Sequence, residues 1–167
     1  VIADNDRLVA TFDPQLDKAL VSEIIKRPGH LELRLVDKET DLVDALAGIL
    51  PRGHILAKLP DDNDAVLAPA LDLNHNHILA CEGISDSGKG LNLELTDDGA
   101  FLLAQITRDN IGNVLVFLVD GQALSSATIM EEIGTKDLMI PLEDQSLNPA
   151  VLAAVLNAPA LTGALTV

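Results

Sequence analysis

The chain has 167 residues, a net charge of −15 and 48% hydrophobic residues, with three Phe and neither Trp nor Tyr. The length fits one ordinary domain or two small subdomains that share a core, and the negative charge argues against nucleic acid and anionic membrane surfaces as partners, since both would repel it. No apolar run in the sequence approaches the roughly 18 residues that a membrane-spanning helix needs.

The first segment predicts a strand, a helix and a second strand. "RLVATFD" at 7–13 alternates and is rich in residues that favour strands. Residues 13–29 follow the helical period, with Asp13 as the N-cap and Pro28-Gly29 at the end. "HLELRLV" at 30–36 predicts a half-buried strand with Leu31, Leu33 and Leu35 facing inward.

The next segment is less regular. Residues 38–50 predict a second helix, capped by Thr40 and ended by Pro51. "HILAKLP" at 54–60 predicts a short strand, and the connector after it contains one candidate strand, "AVLAPAL" at 65–71.

The second half carries a sharper pattern. Residues 97–110 predict a helix capped by Thr96 or Asp97, and residues 122–134 are ambiguous. The other predicted elements are strands at 77–81, 91–96, 113–121, 137–142 and 163–167, and a helix at 148–160 that begins through Asn148-Pro149.

"CEGISDSGKG" at 81–90 resembles a nucleotide-binding loop, because from Gly83 it reads G-x-x-x-x-G-K. A working loop of this kind needs Ser or Thr after the lysine and a helix that begins at once. Here Gly90 follows the lysine, and "LNLELT" predicts a strand. The segment therefore predicts a strand, a glycine-rich turn and a second strand, with no bound nucleotide.

Nucleophile and metal patterns are also incomplete. "GISDS" places Ser85 near a nucleophile elbow, but Ser87 stands where glycine is required. A small serine hydrolase built on Ser85 would need a histidine, and the chain has His30, His54, His75 and His77. "HNH" at 75–77 is either a metal pair on one face of a strand or an exposed turn.

The remaining polar runs are read as turns. The acidic runs 61–64 and 109–113 lack calcium-loop spacing. Gly112 is expected in the left-handed conformation after a helix, and Asp120-Gly121 in a tight turn. The residues alone therefore predict an acidic α+β domain with no convincing catalytic constellation, and they assign no catalytic, cofactor-binding or metal site.

The single cysteine, Cys81, excludes an intramolecular disulfide and a cysteine-based zinc site. Its apolar surroundings in "HILAC" indicate a buried thiol. The chain begins at Val1 rather than Met, so we expect a trimmed or processed protein with any signal peptide or anchor upstream.

Four segments in the same order resemble one known family, the large extracytoplasmic domain of the protein-export subunits SecD and SecDF. "LNLELTDDGAFLLAQITRDNIGNVLVFLVDGQALSSATI" resembles the part of that domain called the head. "HLELRLVD" resembles the family's "LEFRLV" strand, and "HILACEGISDS" resembles the segment that leads into the head. "LNPAVLAAVLNAPALTGALTV" resembles the closing helix and strand, so the resemblance covers roughly residues 8 to 167.

The resemblance implies an α+β fold with a ferredoxin-like base formed by both chain ends and an inserted α+β head. The base with its connector would comprise residues 1–77 and 147–167, and the head residues 78–146. It also implies a non-enzymatic domain on the periplasmic face of the cytoplasmic membrane, without a membrane span in this chain.

The implied function is assistance to protein export by contact with translocating or unfolded polypeptide, with Sec translocon components as further partners. Leu124, Ile129 and Met130 are the candidate polypeptide-binding residues, and Gly83, Gly88 and Gly90 the candidate hinge. Two alternatives stay open: an interaction domain of an envelope assembly without translocation activity, and the serine hydrolase.

Overall fold

The computed structural model describes residues 2–4, 7–9, 29–85, 88–144 and 146–157. They form an α+β fold. The strands are β1 (Ile2–Asp4), β2 (Arg7–Val9), β3 (Leu31–Leu35), β4 (Ile55–Lys58), β5 (Asp64–Leu67), β6 (Ile78–Ile84), β7 (Gly90–Leu95), β8 (Val114–Val119), β9 (Gln122–Thr128) and β10 (Asp137–Pro141). The helices are α1 (Leu42–Leu46), α2 (Asp97–Asp109) and α3 (Pro149–Asn157), and His75–His77 form one 3₁₀ turn.

Two antiparallel three-stranded sheets dominate the fold, one with strand order β3-β8-β9 and the other β10-β7-β6. In the first, Leu33 is paired with Phe117, and in the second Cys81 is paired with Leu93. Two hairpins, β1-β2 and β4-β5, complete the strand pairing of the described residues.

The main core lies between the two sheets and the helices. Period-two alternation sends one face of each strand inward, so Leu91, Leu93 and Leu95 of β7 are fully buried in the same core as Leu31 and Leu33 of β3. Helix α3 packs on β6 with Leu152 and Leu156, and α2 adds Leu103.

A second core covers the other face of the β3-β8-β9 sheet. Val116 and Leu118 of β8 point there, opposite to Leu115 and Phe117, and pack against Leu67 of the β4-β5 hairpin. Both faces of β8 are buried, which explains why its sequence is a continuous hydrophobic run.

Most predicted elements in the described residues are confirmed. Thr96 caps α2, its hydroxyl accepting from the Gly99 N–H at 3.0 Å. Gly112 has φ +87° after α2, and Asp120 and Gly121 have φ of 51° and 78° in the turn between β8 and β9. The predicted helix at 13–29 and terminal strand at 163–167 fall almost wholly outside the described residues.

The predicted cap of the second helix is wrong. Helix α1 is only five residues long, and Asp41, not Thr40, accepts from the Val43 N–H at 2.7 Å. The Thr40 hydroxyl instead donates to the Asp37 carboxylate at 2.5 Å, and a residue engaged in that turn cannot cap the helix.

The ambiguous segment at 122–134 begins with strand β9. Its pairing with β8 shifts between Phe117, which faces Ser125, and Leu118, which faces Ala123. Leu124 is therefore the extra residue of a β-bulge. A bulge interrupts period-two alternation, which explains why the sequence pattern was ambiguous.

The division into a base at 1–77 and 147–167 and a head at 78–146 stays a prediction, as does the ferredoxin-like detail. Strand β3, from the predicted base, is hydrogen-bonded along its length to β8, from the predicted head. The described residues of both ranges contribute to the main core.

Candidate functional site

The segment that resembled a nucleotide-binding loop is the connection between two antiparallel strands. Strand β6 ends at Ile84, and Gly90 is already the first residue of β7. Strand β7 follows the lysine directly, so no helix N-terminus is present there to meet a phosphate.

The three candidate hinge glycines have different surroundings. A Cβ on Gly83 would lie 2.5 Å from the carbonyl carbon of Pro149, at the start of α3, and a Cβ on Gly90 would lie 3.0 Å from the Ile140 carbonyl oxygen. Gly88 has φ +123°, with nothing within 4 Å of a built Cβ. Gly83 thus permits close packing of β6 on α3, and the hinge itself stays a prediction.

Ser85 is exposed at the end of β6, and no described histidine is hydrogen-bonded to it. His30 contacts Glu32 at 3.2 Å, and His54 contacts Asp37 at 3.3 Å. The contacts of the described part of the chain therefore supply no base for a serine nucleophile.

The "HNH" segment is a 3₁₀ turn, so of the two alternatives the turn is found, and the two imidazoles do not share one face of a strand. Asn74 caps the turn, its N–H donating to His77 Nδ1 at 3.2 Å. At three residues per turn, His75 and His77 point in different directions. Across residues 29–85, 88–144 and 146–157, no three His, Cys, Asp or Glu side chains are gathered as a metal site.

Cys81 is buried, as predicted, in the middle of β6. Burial raises the pKa of its thiol to about 12, and the nearby Glu82 carboxylate adds to the shift. A thiol in this state is a poor nucleophile and metal ligand.

The structure separates the three candidate polypeptide-binding residues. Leu124 and Ile129 are buried in the main core, whereas Met130 is 79% exposed. Only Met130 is therefore a surface residue in this conformation, and contact of any of the three with polypeptide stays a prediction.

A turn bonded to the end of β9 carries a second exposed apolar residue, which the sequence did not reveal. The Gly112 N–H donates to the Ile129 carbonyl at 2.8 Å, which brings the turn that contains Ile111 to the end of β9, where Met130 follows. Ile111 is 58% exposed. It falls in "RDNIGN", which the sequence marked only as the end of a helix.

The outer edge of β9 leads to Met130, whereas Ile111 precedes β8 and its turn is bonded to the inner side of β9. Antiparallel strands alternate between residues that bond the partner strand and residues that face away. Because the Ile129 N–H donates toward β8, to Asn113, the N–H groups of Thr128 and Ser126 face away from it. The Ser126 N–H donates to the Glu143 carboxylate at 3.1 Å. We call Ile111, Met130 and residues 126–128 the β9 surface.

The family follows from comparison with known proteins. A sequence model of the family described as "SecDF, P1 head subdomain" matches residues 62–163, more than half of the chain.

The chain belongs to the SecDF P1 head family.

Relatives of the P1 head chain support the assignment. It is 28% identical over 115 residues to the protein translocase subunit SecD of Salmonella choleraesuis, covering 68% of this chain and 19% of that protein. It is 27% identical over 158 residues to the protein translocase subunit SecDF of Brucella abortus, covering 90% of this chain and 21% of that protein. The chain thus spans about a fifth of the length of these relatives.

Solved SecDF structures share the fold. One, described as a membrane component that enhances protein export, has a TM-score of 0.64 at 23% identity and covers 91% of this chain and 74% of that chain. SecDF in a super-membrane-facing form has a TM-score of 0.63 at 22% identity, covering 88% of this chain and 21% of that one. The α+β class predicted from the sequence is confirmed.

Family membership also gives the location. The P1 head is extracytoplasmic, in the periplasm next to the cytoplasmic membrane, and the family is a protein-export component rather than a known enzyme. No helix among the described residues of this P1 head has the length and apolar character to cross a membrane.

The P1 head has a second exposed apolar surface, on α1 and the turn after it. Its members are Leu42, Val43, Leu46 and Ile49, and we call it the α1 surface. These residues lie outside the range 62–163 that matches the family, whereas the β9 surface lies inside it.

Proposed function

We propose that this P1 head assists protein export by contacting unfolded or translocating polypeptide at the β9 surface. The observation that carries the proposal is the largely exposed side chain of Met130, which directly follows a strand whose outer edge is open. The relatives' names, protein translocase subunits, supply the biological setting.

The chemistry of these side chains suits a variable ligand. Methionine is flexible and polarizable, and it adapts to apolar partners of different shape. An exposed apolar side chain gains free energy when a ligand covers it, about 1.5–3 kcal/mol for full burial of a methionine. Polypeptides in transit expose apolar residues of many kinds, and this surface would bind them without a shape-specific pocket.

The charge of the domain restricts the ligand further. With a net charge of −15, the chain repels acidic segments and favours neutral or basic ones. Glu131 and Glu132 are exposed directly after Met130. We therefore expect the tightest binding from apolar segments that carry lysine or arginine.

The test is titration of a fluorescently labelled, permanently unfolded polypeptide with the domain. We expect saturable binding in the micromolar range, weakened about tenfold or more by Met130→Ser, because the apolar contact is lost. Met139→Ser is the matched control, since Met139 is 53% exposed on β10, a different strand.

Val43→Ser, on the α1 surface, is the third variant and tests whether polypeptide binds there instead. Unchanged binding in Val43→Ser, together with weakened binding in Met130→Ser, would assign polypeptide contact to the β9 surface. Loss of binding in Val43→Ser alone would move the contact to α1, and absence of saturable binding to the wild-type domain would reject the proposed function. Sec translocon components form the second expected class of partner, and capture of the domain by purified translocon would test that contact separately.

A further inference from the structure

Strand β9 is an edge strand of one of the two three-stranded sheets. Its inner edge is bonded to β8, and the order β3-β8-β9 leaves its outer edge without a neighbouring strand. Such an edge presents unpaired backbone donors and acceptors, which another extended chain can pair with. Proteins that do not use such an edge block it.

Part of this edge is covered by a side chain instead of a strand. Glu143, two residues after β10, accepts from the Ser126 N–H at 3.1 Å through its carboxylate, and its own N–H donates to the Leu124 carbonyl at 3.5 Å. Glu143 is exposed, so its carboxylate can move to water when a better-placed acceptor arrives. An exposed hydrogen bond of this kind contributes modestly to stability, so a peptide can displace it at a cost that lowers its affinity only several-fold.

The next positions along the edge are open. The Ser126 carbonyl and the Thr128 N–H face away from β8 and have no hydrogen-bond partner among the described residues. Ala127 and Thr128 are exposed. Met130 lies two residues after Thr128. A peptide paired with this edge would therefore place the side chains at one of its ends near Met130.

We propose that exported polypeptide binds the P1 head as an added β-strand on the outer edge of β9, displacing the Glu143 carboxylate from the Ser126 N–H. The proposal rests on the proposed function and names its binding mode. Every polypeptide carries the same backbone groups, so pairing with an edge binds extended segments with little regard to sequence. Met130 adds affinity for segments that carry an apolar side chain at this end of the edge.

The sharpest test leaves the protein unchanged and alters the ligand. The probe is a labelled ten-residue peptide of alternating Val and Thr with two lysines, compared with two versions that are N-methylated at odd or at even positions. N-methylation removes backbone donors on one edge of the peptide and keeps the side chains. The two versions carry equal numbers of methyl groups, so each controls for the effect of methylation on conformation.

Strand addition uses only one edge of the peptide. We expect one N-methylated version to lose about tenfold or more in affinity, and the other to stay within about threefold of the parent. Equal affinities for the two versions, whether both kept or both lost, would overturn strand addition while leaving polypeptide binding intact. If neither the parent peptide nor the unfolded polypeptide binds, the proposed function fails as well.

Variants of the protein test whether the peptide binds at the outer edge of β9. Glu143→Ala removes the cap and should tighten peptide binding several-fold, whereas Glu143→Gln keeps an acceptor oxygen and should leave it nearly unchanged. Thr128→Pro removes an outward donor without breaking the pairing with β8, because proline is tolerated on edge strands. We expect it to weaken binding about tenfold, with Thr128→Ala as the control that keeps the N–H.

A second copy of the chain is the competing occupant of the same edge. Light scattering distinguishes it. A monomer over the concentrations used for the titrations agrees with the proposal. A dimer that dissociates in Thr128→Pro would assign the edge to self-association and contradict it.

Discussion

The side chain of Asn157 forms two hydrogen bonds with the backbone of Cys81. Asn157 Nδ2 donates to the Cys81 carbonyl at 2.7 Å, and the Cys81 N–H donates to Asn157 Oδ1 at 2.8 Å. Strand β6 is the outer strand of the β10-β7-β6 sheet, so this amide takes the place of a neighbouring strand. It also ties the end of α3 to the middle of β6.

Asn157→Ala should lower the free energy of unfolding by about 1–3 kcal/mol, because it leaves a partly buried donor and acceptor without partners. Asn157→Asp should destabilise at least as much, since a carboxylate cannot donate to the carbonyl. Urea denaturation measures both. Asn76→Ala, at an exposed position, is the control with little expected change. Equal stability of Asn157→Ala and the wild type would contradict the structural role assigned to the amide.

Gly83→Ala should also destabilise the domain, by about 1–3 kcal/mol, because the new methyl group would overlap the Pro149 backbone and force β6 and α3 apart. Gly134→Ala is the matched control, since its nearest neighbour, the Ala104 side chain, would lie 3.8 Å away. Thermal unfolding of the two variants measures the difference. Gly83→Ala with an unchanged melting temperature would show that this packing is looser than the structure indicates.

The Cys81 thiol should be unreactive in the folded protein. With its pKa raised to about 12 by burial, the thiolate fraction at pH 8 is about one in ten thousand, and the thiolate is the reactive form. We expect a chromogenic disulfide reagent to label the urea-unfolded protein rapidly and the native protein very slowly. Rapid labelling under native conditions would contradict the burial of this side chain.

The turn after β3 should contribute a pH-dependent stability. The Thr40 hydroxyl, the Glu39 N–H and then His54 hold the pKa of the Asp37 carboxyl below its ordinary value. A lowered pKa means that folding favours the ionised form, so its contribution is complete above the unfolded pKa, near 4. The contribution is lost as the pH falls through the lower folded pKa.

Thr40→Val should therefore destabilise the domain at pH 7, and the difference from the wild type should shrink below about pH 4. Thr135→Val is the comparison, because the Thr135 hydroxyl donates to the neutral Asp137 carbonyl at 2.9 Å. Its effect should not change over the same pH range. Urea denaturation at several pH values measures both, and a pH-independent effect of Thr40→Val would contradict the assignment.

The regular part of the fold was predictable because its patterns are local. Alternating leucines mark β3 and β7, and Thr96 is a standard N-cap for the helix that follows. These signals depend on residues a few positions apart, and tertiary contacts support them. The β6–β7 connection was predictable for the same reason, since a strand pattern starts directly after the lysine.

The candidate site was less predictable, because it depends on contacts between distant segments. Leu124 and Ile129 lie beside small polar residues in the sequence, a pattern typical of an exposed strand. Both side chains are nevertheless buried in the main core, Leu124 at a β-bulge. The turn that contains Ile111 reaches the end of β9 only through the bond between Gly112 and Ile129. Nothing near Glu143 in sequence shows that it reaches Ser126, 17 residues away.

The central claim, contact between exported polypeptide and the β9 surface, is tested most directly by site-specific photo-crosslinking. A photoreactive amino acid replaces Met130 in one protein and Met139 in another, and each is irradiated with the same labelled unfolded polypeptide. The account predicts a crosslinked product from position 130 and little from position 139. No product from position 130, or equal yields from the two positions, would contradict it.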